Sequence, residues 1–131
     1  MAAEVIPVGI DVSAKELVVV IGGQEDILRF KNHGSGHKAL LKVLKKNAAK
    51  QGAKSIRVVL EVTGIYSLAL SFFLSDRDEI ELHALNPAQV RHYARSQLAR
   101  SKTDPCDARI LADLAANNPA AFAEVVKFAL A

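Results

Sequence analysis

Eight residues near the N-terminus, Val5-Ile6-Pro7-Val8-Gly9-Ile10-Asp11-Val12, constrain this chain more than any other stretch. They are apolar and rich in β-branched side chains, the pattern of a strand covered on both faces, yet the seventh is an acid. A lone carboxylate in such a place is costly to bury, so it calls for a metal, a cation or a partner acid beside it. Side chains alternate along a strand, which puts Gly9 and Asp11 on one face and Val8, Ile10 and Val12 on the other. Asp11 therefore points away from the main apolar side.

The 131 residues are about one ordinary domain, and with half of them hydrophobic and 24% charged the chain is globular rather than disordered. A net charge of +3 leans basic, which is compatible with a polyanionic partner but too small to argue for one by itself. The single cysteine, Cys106, excludes an internal disulfide and fits a reducing compartment. No apolar run approaches a membrane span, and Met1-Ala2-Ala3-Glu4 carries no basic region leading into an apolar one. The expectation is a soluble, cytoplasmic protein.

Leu17 to Ile21 and Ile27 to Lys31 are two further β-rich runs, separated from the first and from each other by short polar or glycine turns, so the first three runs are predicted to form an antiparallel meander. After Asn32-His33-Gly34-Ser35-Gly36 the period changes. Over His37 to Lys50 the apolar residues Leu40, Leu41, Val43, Leu44 and Ala48 follow helical spacing, and Lys38, Lys42, Lys45, Lys46 and Lys50 fill the other positions without one acid. Those lysines read either as a solvated face or as a surface that follows a phosphate backbone.

Ile56 to Glu61 is the fourth predicted strand, with Ile56, Val58 and Leu60 on one face and Arg57, Val59 and Glu61 on the other. Ile65 to Leu74 reads as a helix and Ile80 to Leu85 as a fifth strand. Asn86 as N-cap and Pro87 at the first helical position open another helix carrying Arg91, His92 and Arg95. A last helix is predicted from near Asp104 to about Ala116, and residues 117–131 form a tail of helical composition with no clear start. Right-handed crossovers lay the fourth and fifth strands parallel to the first, on the side away from the meander. The predicted architecture is an α/β ribonuclease H-like (RuvC-like) fold, a mixed five-stranded sheet of order 3-2-1-4-5 flanked by helices, spanning 1–116. Asp11 and Glu61 then fall on adjacent strands and face the same way.

Asp104 and Asp107, three apart at a helix start, can share one side of the first turn, although an N-cap followed by Pro105, and an acid favoured by the helix dipole, would account for them equally. Glu61 could pair with Arg57 or Lys54. Taken together, the four acids suit a hard divalent cation, because Mg²⁺ is commonly held by one or two carboxylates together with water and phosphate oxygens. Other constellations are weaker. His33 and His37 flank a glycine loop without zinc-like spacing, Ser13 reads as a turn residue, Cys106 as a packing residue and Tyr66 as core.

GIDVS at 9–13, EVTGIY at 61–66, NPAQVRHYA at 86–94 and SKTDPCDARILADLA at 101–115 resemble the N-terminal RuvC-like domain of the DEDD transposases of the IS110 insertion-sequence family, to which the pilin-gene invertases are similar. By position the resemblance makes Asp11, Glu61, Asp104 and Asp107 the catalytic and metal-binding acids. It implies Mg²⁺- or Mn²⁺-dependent DNA strand cleavage and exchange, DNA and a bridge RNA as partners, a homo-oligomer in the full-length protein, and association with the nucleoid when bound to DNA. Members of that family continue into a C-terminal domain holding a serine that links to DNA. No serine here takes that role, so the 131 residues alone are not expected to complete recombination.

Two further readings compete. An isolated nucleic-acid-binding or assembly module would use Lys38, Lys42, Lys45 and Lys46 together with Arg91, Arg95, Arg100, Lys102 and Arg109, with steep salt dependence and no metal requirement. A nucleotide-binding domain of the actin and sugar-kinase type shares Gly9-Ile10-Asp11, but Val12-Ser13-Ala14 follows where that loop needs Gly and Thr.

Overall fold

The computed structural model describes residues 4–62, 64–98 and 107–117. The first strand, β1 (Val5–Val12), pairs antiparallel with β2 (Glu16–Ile21), which pairs antiparallel with β3 (Ile27–Lys31). Ser13 closes the first turn: its hydroxyl donates to the Glu16 carbonyl at 2.9 Å and accepts from the Glu16 N–H at 3.3 Å. On the other side of β1, β4 (Ser55–Glu61) and then β5 (Ile80–Leu85) add in parallel, giving the order β3-β2-β1-β4-β5. This is the sheet order expected from the sequence, and it is consistent with a ribonuclease H-like fold.

Among the described residues four helices cover the sheet: α1 (Gly34–Gln51), α2 (Leu68–Ser75), α3 (Pro87–Leu98) and α4 (Asp107–Ala116). One face buries Ile6, Val8 and Ile10 of β1 and Ile56, Val58 and Leu60 of β4 against Leu40, Leu41 and Leu44 of α1 and Leu70 and Leu74 of α2. The other packs Val59 and Leu85 against Val90 and Tyr93 of α3 and Leu111, Leu114 and Ala115 of α4. Fully burying one such leucine stabilises by about 1.5–3 kcal/mol relative to leaving it exposed. Alternation along β1 and β4 therefore fixes which helices lie on which side.

Two helix starts differ from expectation. Helix α1 starts at Gly34 rather than His37, because its first turn lies hard against the end of β3: a Cβ on Gly36 would fall 1.8 Å from the Lys31 carbonyl oxygen. Only glycine permits that approach, and a glycine-rich start carries no apolar period to reveal it. At its other end Gly52, with φ of 66°, donates its N–H to the carbonyls of Ala48 and Ala49 and stops the helix. Helix α2 starts at Leu68 rather than Ile65, after a turn over 64–67. In that turn Tyr66 is 52% exposed, which corrects its reading as core. Helix α4 is described from Asp107; the expected start near Asp104, Cys106 and 118–131 of the expected tail lie outside the described residues.

Candidate acidic site at the carboxyl ends of the central strands

Strands β1 and β4 run parallel with Ile10 opposite Leu60, so one residue further Asp11 and Glu61 stand abreast at their carboxyl ends. Both are half-buried. They share the face of Gly9 and Val59, the face covered by α4. Sheet order reverses between these two strands, since β2 departs on one side of β1 and β4 lies on the other, and ligands of open α/β sheets bind outside the carboxyl ends at such a point.

The direction of α4 brings its first residue to the same edge. Gly9 abuts Ala108 and Ala112, whereas Arg57, opposite Pro7 and nearer the amino ends of the strands, donates from Nη1 to the Ala115 carbonyl at 3.4 Å. Helix α4 thus runs antiparallel to β1 and begins, at Asp107, near the Asp11 end. The Asp107 side chain and all of Asp104 lie outside the described residues, so the structure brings together two of the four acids and the start of the helix that carries the third. Among the described residues no group of three or more His, Cys, Asp or Glu side chains is gathered for a metal ion.

Helices α1, α2 and α3 also begin at this edge, because each follows a strand that ends there. The positive ends of their dipoles favour carboxylates and phosphate groups alike. Helix α3 is held in place by a reciprocal cap: the Gln89 N–H donates to Asn86 Oδ1 at 2.9 Å, and the Asn86 N–H to Gln89 Oε1 at 3.1 Å. Beside the acids, the chain leaving β4 exposes Val62, Ile65, Tyr66, Leu68 and Phe72.

Beneath α4, Arg57 Nε donates to Glu81 Oε2 at 2.5 Å, and the same oxygen accepts from the buried His83 Nε2 at 2.8 Å. Arg57, offered by the sequence as a partner for Glu61, is committed to Glu81. Burial acts to raise the Glu81 pKa, but the bonds from His83 and Arg57 outweigh it and hold the carboxyl below its usual range. Glu81 and His83 alternate with apolar residues along β5 on the side of Arg57, a signal that was legible in the sequence as a polar stripe on a buried strand. A carboxylate only accepts, so His83 Nε2 carries the proton; its buried Nδ1 has no hydrogen-bond partner among the described residues.

The basic residues fall into separate groups. Lys38, Lys42, Lys45 and Lys46 are exposed on α1, with Lys45 Nζ 3.3 Å from Glu79 Oε1. Arg91 and Arg95 are exposed one turn apart on α3, across the sheet from α1. Arg109 reaches away from the acids, donating to the Glu25 carbonyl at 2.6 Å beside a cleft of about 420 Å³ that Pro7, Gly23 and Asp113 help to line. Arg100 and Lys102 lie outside the described residues.

A family model described as transposase, of the DEDD, IS110 type, matches residues 8–127. The chain belongs to this IS110-type DEDD transposase family. The matched span runs from within β1 through α4, and a transposase acts on DNA. No curated protein matches the chain. No described helix of this transposase-family chain is long and apolar enough to cross a membrane.

Proposed function

We propose that residues 1–116 form the RuvC-like, metal-dependent catalytic domain of a transposase, in which Asp11, Glu61, Asp104 and Asp107 hold Mg²⁺ or Mn²⁺ for cleavage and exchange of DNA strands. The observation that carries this reading is the parallel register that sets Asp11 and Glu61 side by side at the edge where α4 begins. The donor set fits the ion. Half-buried carboxylates abreast offer hard oxygen ligands, and two like charges so placed favour a cation between them.

A bound divalent ion would polarise the phosphate and lower the pKa of a water attacking it. The chain's own part is to fix the carboxylates on strand ends and to aim helix N-termini at the phosphate. Arg91 and Arg95 are exposed on α3, on the acid-bearing side of the sheet, and suit a DNA backbone leaving the site. Arg100, Lys102 and Arg109 extend that basic set in sequence. The bridge RNA and the homo-oligomer belong to the same reading.

Calorimetric titration of Mg²⁺ or Mn²⁺ into the protein and its Asp11→Ala and Asp104→Ala variants, with and without branched or single-stranded DNA, tests it. Saturable binding that disappears in both variants is expected. Equal affinity in all three proteins would overturn the proposal.

A second reading, a nucleic-acid-binding or assembly module without activity of its own, draws on α1, whose Lys38, Lys42 and Lys46 are exposed on a helix that contains no acid. It requires nucleic-acid affinity that falls steeply with salt and is indifferent to chelator.

A further inference from the structure

Asn32, in the short link between β3 and α1, joins three segments through one side chain. Its Nδ2 donates to the Ser13 carbonyl and to the Tyr66 carbonyl, each at 2.8 Å. With both amide hydrogens used, Oδ1 is left to face His37 Nε2 at 2.8 Å, which makes that imidazole nitrogen the donor. The Asn32 backbone N–H donates to the Lys15 carbonyl at 3.0 Å. His37 in turn is buried, at 4% exposure, with its ring 5.8 Å from that of Phe73 in α2. The amide is therefore anchored to the packed side of the sheet and grips the two loops from below.

Those loops are the ones that leave the acids. Ser13 follows Asp11 by two residues, and Tyr66 follows Glu61 by five. In the loop after Glu61, Ile65 is 75% and Tyr66 52% exposed. We infer that Asn32 is a positioning residue, which sets the spacing of Asp11 and Glu61 by tying the chain after β1 to the chain after β4. The inference rests on the proposed role of those acids only for its consequence in metal binding; the tie itself is a separate, measurable property.

Spin labels at Ala14→Cys and Ile65→Cys, both exposed positions, with Cys106→Ser in the background, report the distance between the loops by electron paramagnetic resonance. A narrow distribution is expected with Asn32 in place. Asn32→Ala and Asn32→Asp should each broaden it at least twofold while the circular dichroism spectrum stays unchanged, because Asp keeps an acceptor for His37 but has no hydrogen for either carbonyl. His37→Gln, which retains an N–H donor, should keep it narrow. In the same variants without labels, Mn²⁺ affinity should fall at least tenfold for Asn32→Ala and Asn32→Asp and little for His37→Gln.

Broadening with no Mn²⁺ binding even to the parent protein would uphold the tie and remove the metal-site reading. An unchanged distribution in both Asn32 variants, or broadening with unchanged Mn²⁺ affinity, would overturn the inference.

Discussion

Gly9 and Ala108 are in backbone contact across the sheet-to-helix interface: a Cβ on Gly9 would fall 2.2 Å from the Ala108 carbonyl oxygen and equally close to the Ala112 nitrogen. Neither obstacle is the end of a flexible side chain, so a larger residue must push α4 away from β1. Gly9→Ala is expected to destabilise by about 1–3 kcal/mol, read as a lowered urea midpoint, and to displace the start of α4 from Asp11. An unchanged midpoint would mean that α4 is not seated on β1 as described.

The cap on α3 predicts a smaller and chemically selective loss. Asn86→Ala removes the acceptor for the Gln89 N–H and should cost about 1 kcal/mol in denaturant unfolding. Asn86→Asp preserves the acceptor and adds a charge favoured at a helix N-terminus, so it should match the parent. Equal losses in the two variants would assign the effect to something other than the cap.

His37 couples stability to pH. Burial, with a smaller contribution from His33, lowers its pKa in the folded state below that of the unfolded chain. Folding thus excludes a proton from this ring, and the stability it confers is complete above the unfolded value of about 6.5 and lost as pH falls through the folded one. Thermal melting of the parent should decline as pH falls below about 6.5 more steeply than that of His37→Gln. Parallel profiles would show that His37 does not contribute to the decline.

If the acids hold a divalent ion as proposed, the ion should appear in stability. A ligand that binds only the folded state stabilises it by about 2.7 kcal/mol at a hundred times its Kd. Mn²⁺ should therefore raise the melting temperature of the parent, chelator should reverse the gain, and Asp11→Asn should show neither response. A rise of equal size in Asp11→Asn would place the ion elsewhere.

Much of this arrangement could be read from local pattern, because period alone tells which face a side chain joins. The β-branched runs gave all five strands, the short turns and long crossovers gave their order, and alternation put Asp11 on the side of Gly9 and Glu61 on the side of Arg57. What period does not encode is contact between distant loops. Asn32 meets Ser13 19 residues away and Tyr66 34 residues away, and nothing in its neighbourhood sets it apart from an ordinary turn asparagine. The early start of α1 escaped for a related reason: Gly36 is dictated by the carbonyl of Lys31, a tertiary demand written in a residue that otherwise signals a loop. Tyr66 was misplaced because an aromatic residue near a helix start suggests burial, whereas the turn over 64–67 carries it outward.

The sheet's mixed pairing also orders events in time. Strands β1, β2 and β3 are neighbours in sequence and can zip through short turns, whereas β4 reaches β1 only after the chain has crossed by way of α1. Closing that larger loop belongs to the slow part of folding. Asp11 and Glu61 sit on opposite sides of this late junction, so the two carboxylates are strangers in the early hairpin and become neighbours only when the crossover closes. A refolding chain should gain its hairpin signal first and, under the role proposed for these acids, its capacity to bind Mn²⁺ only afterwards.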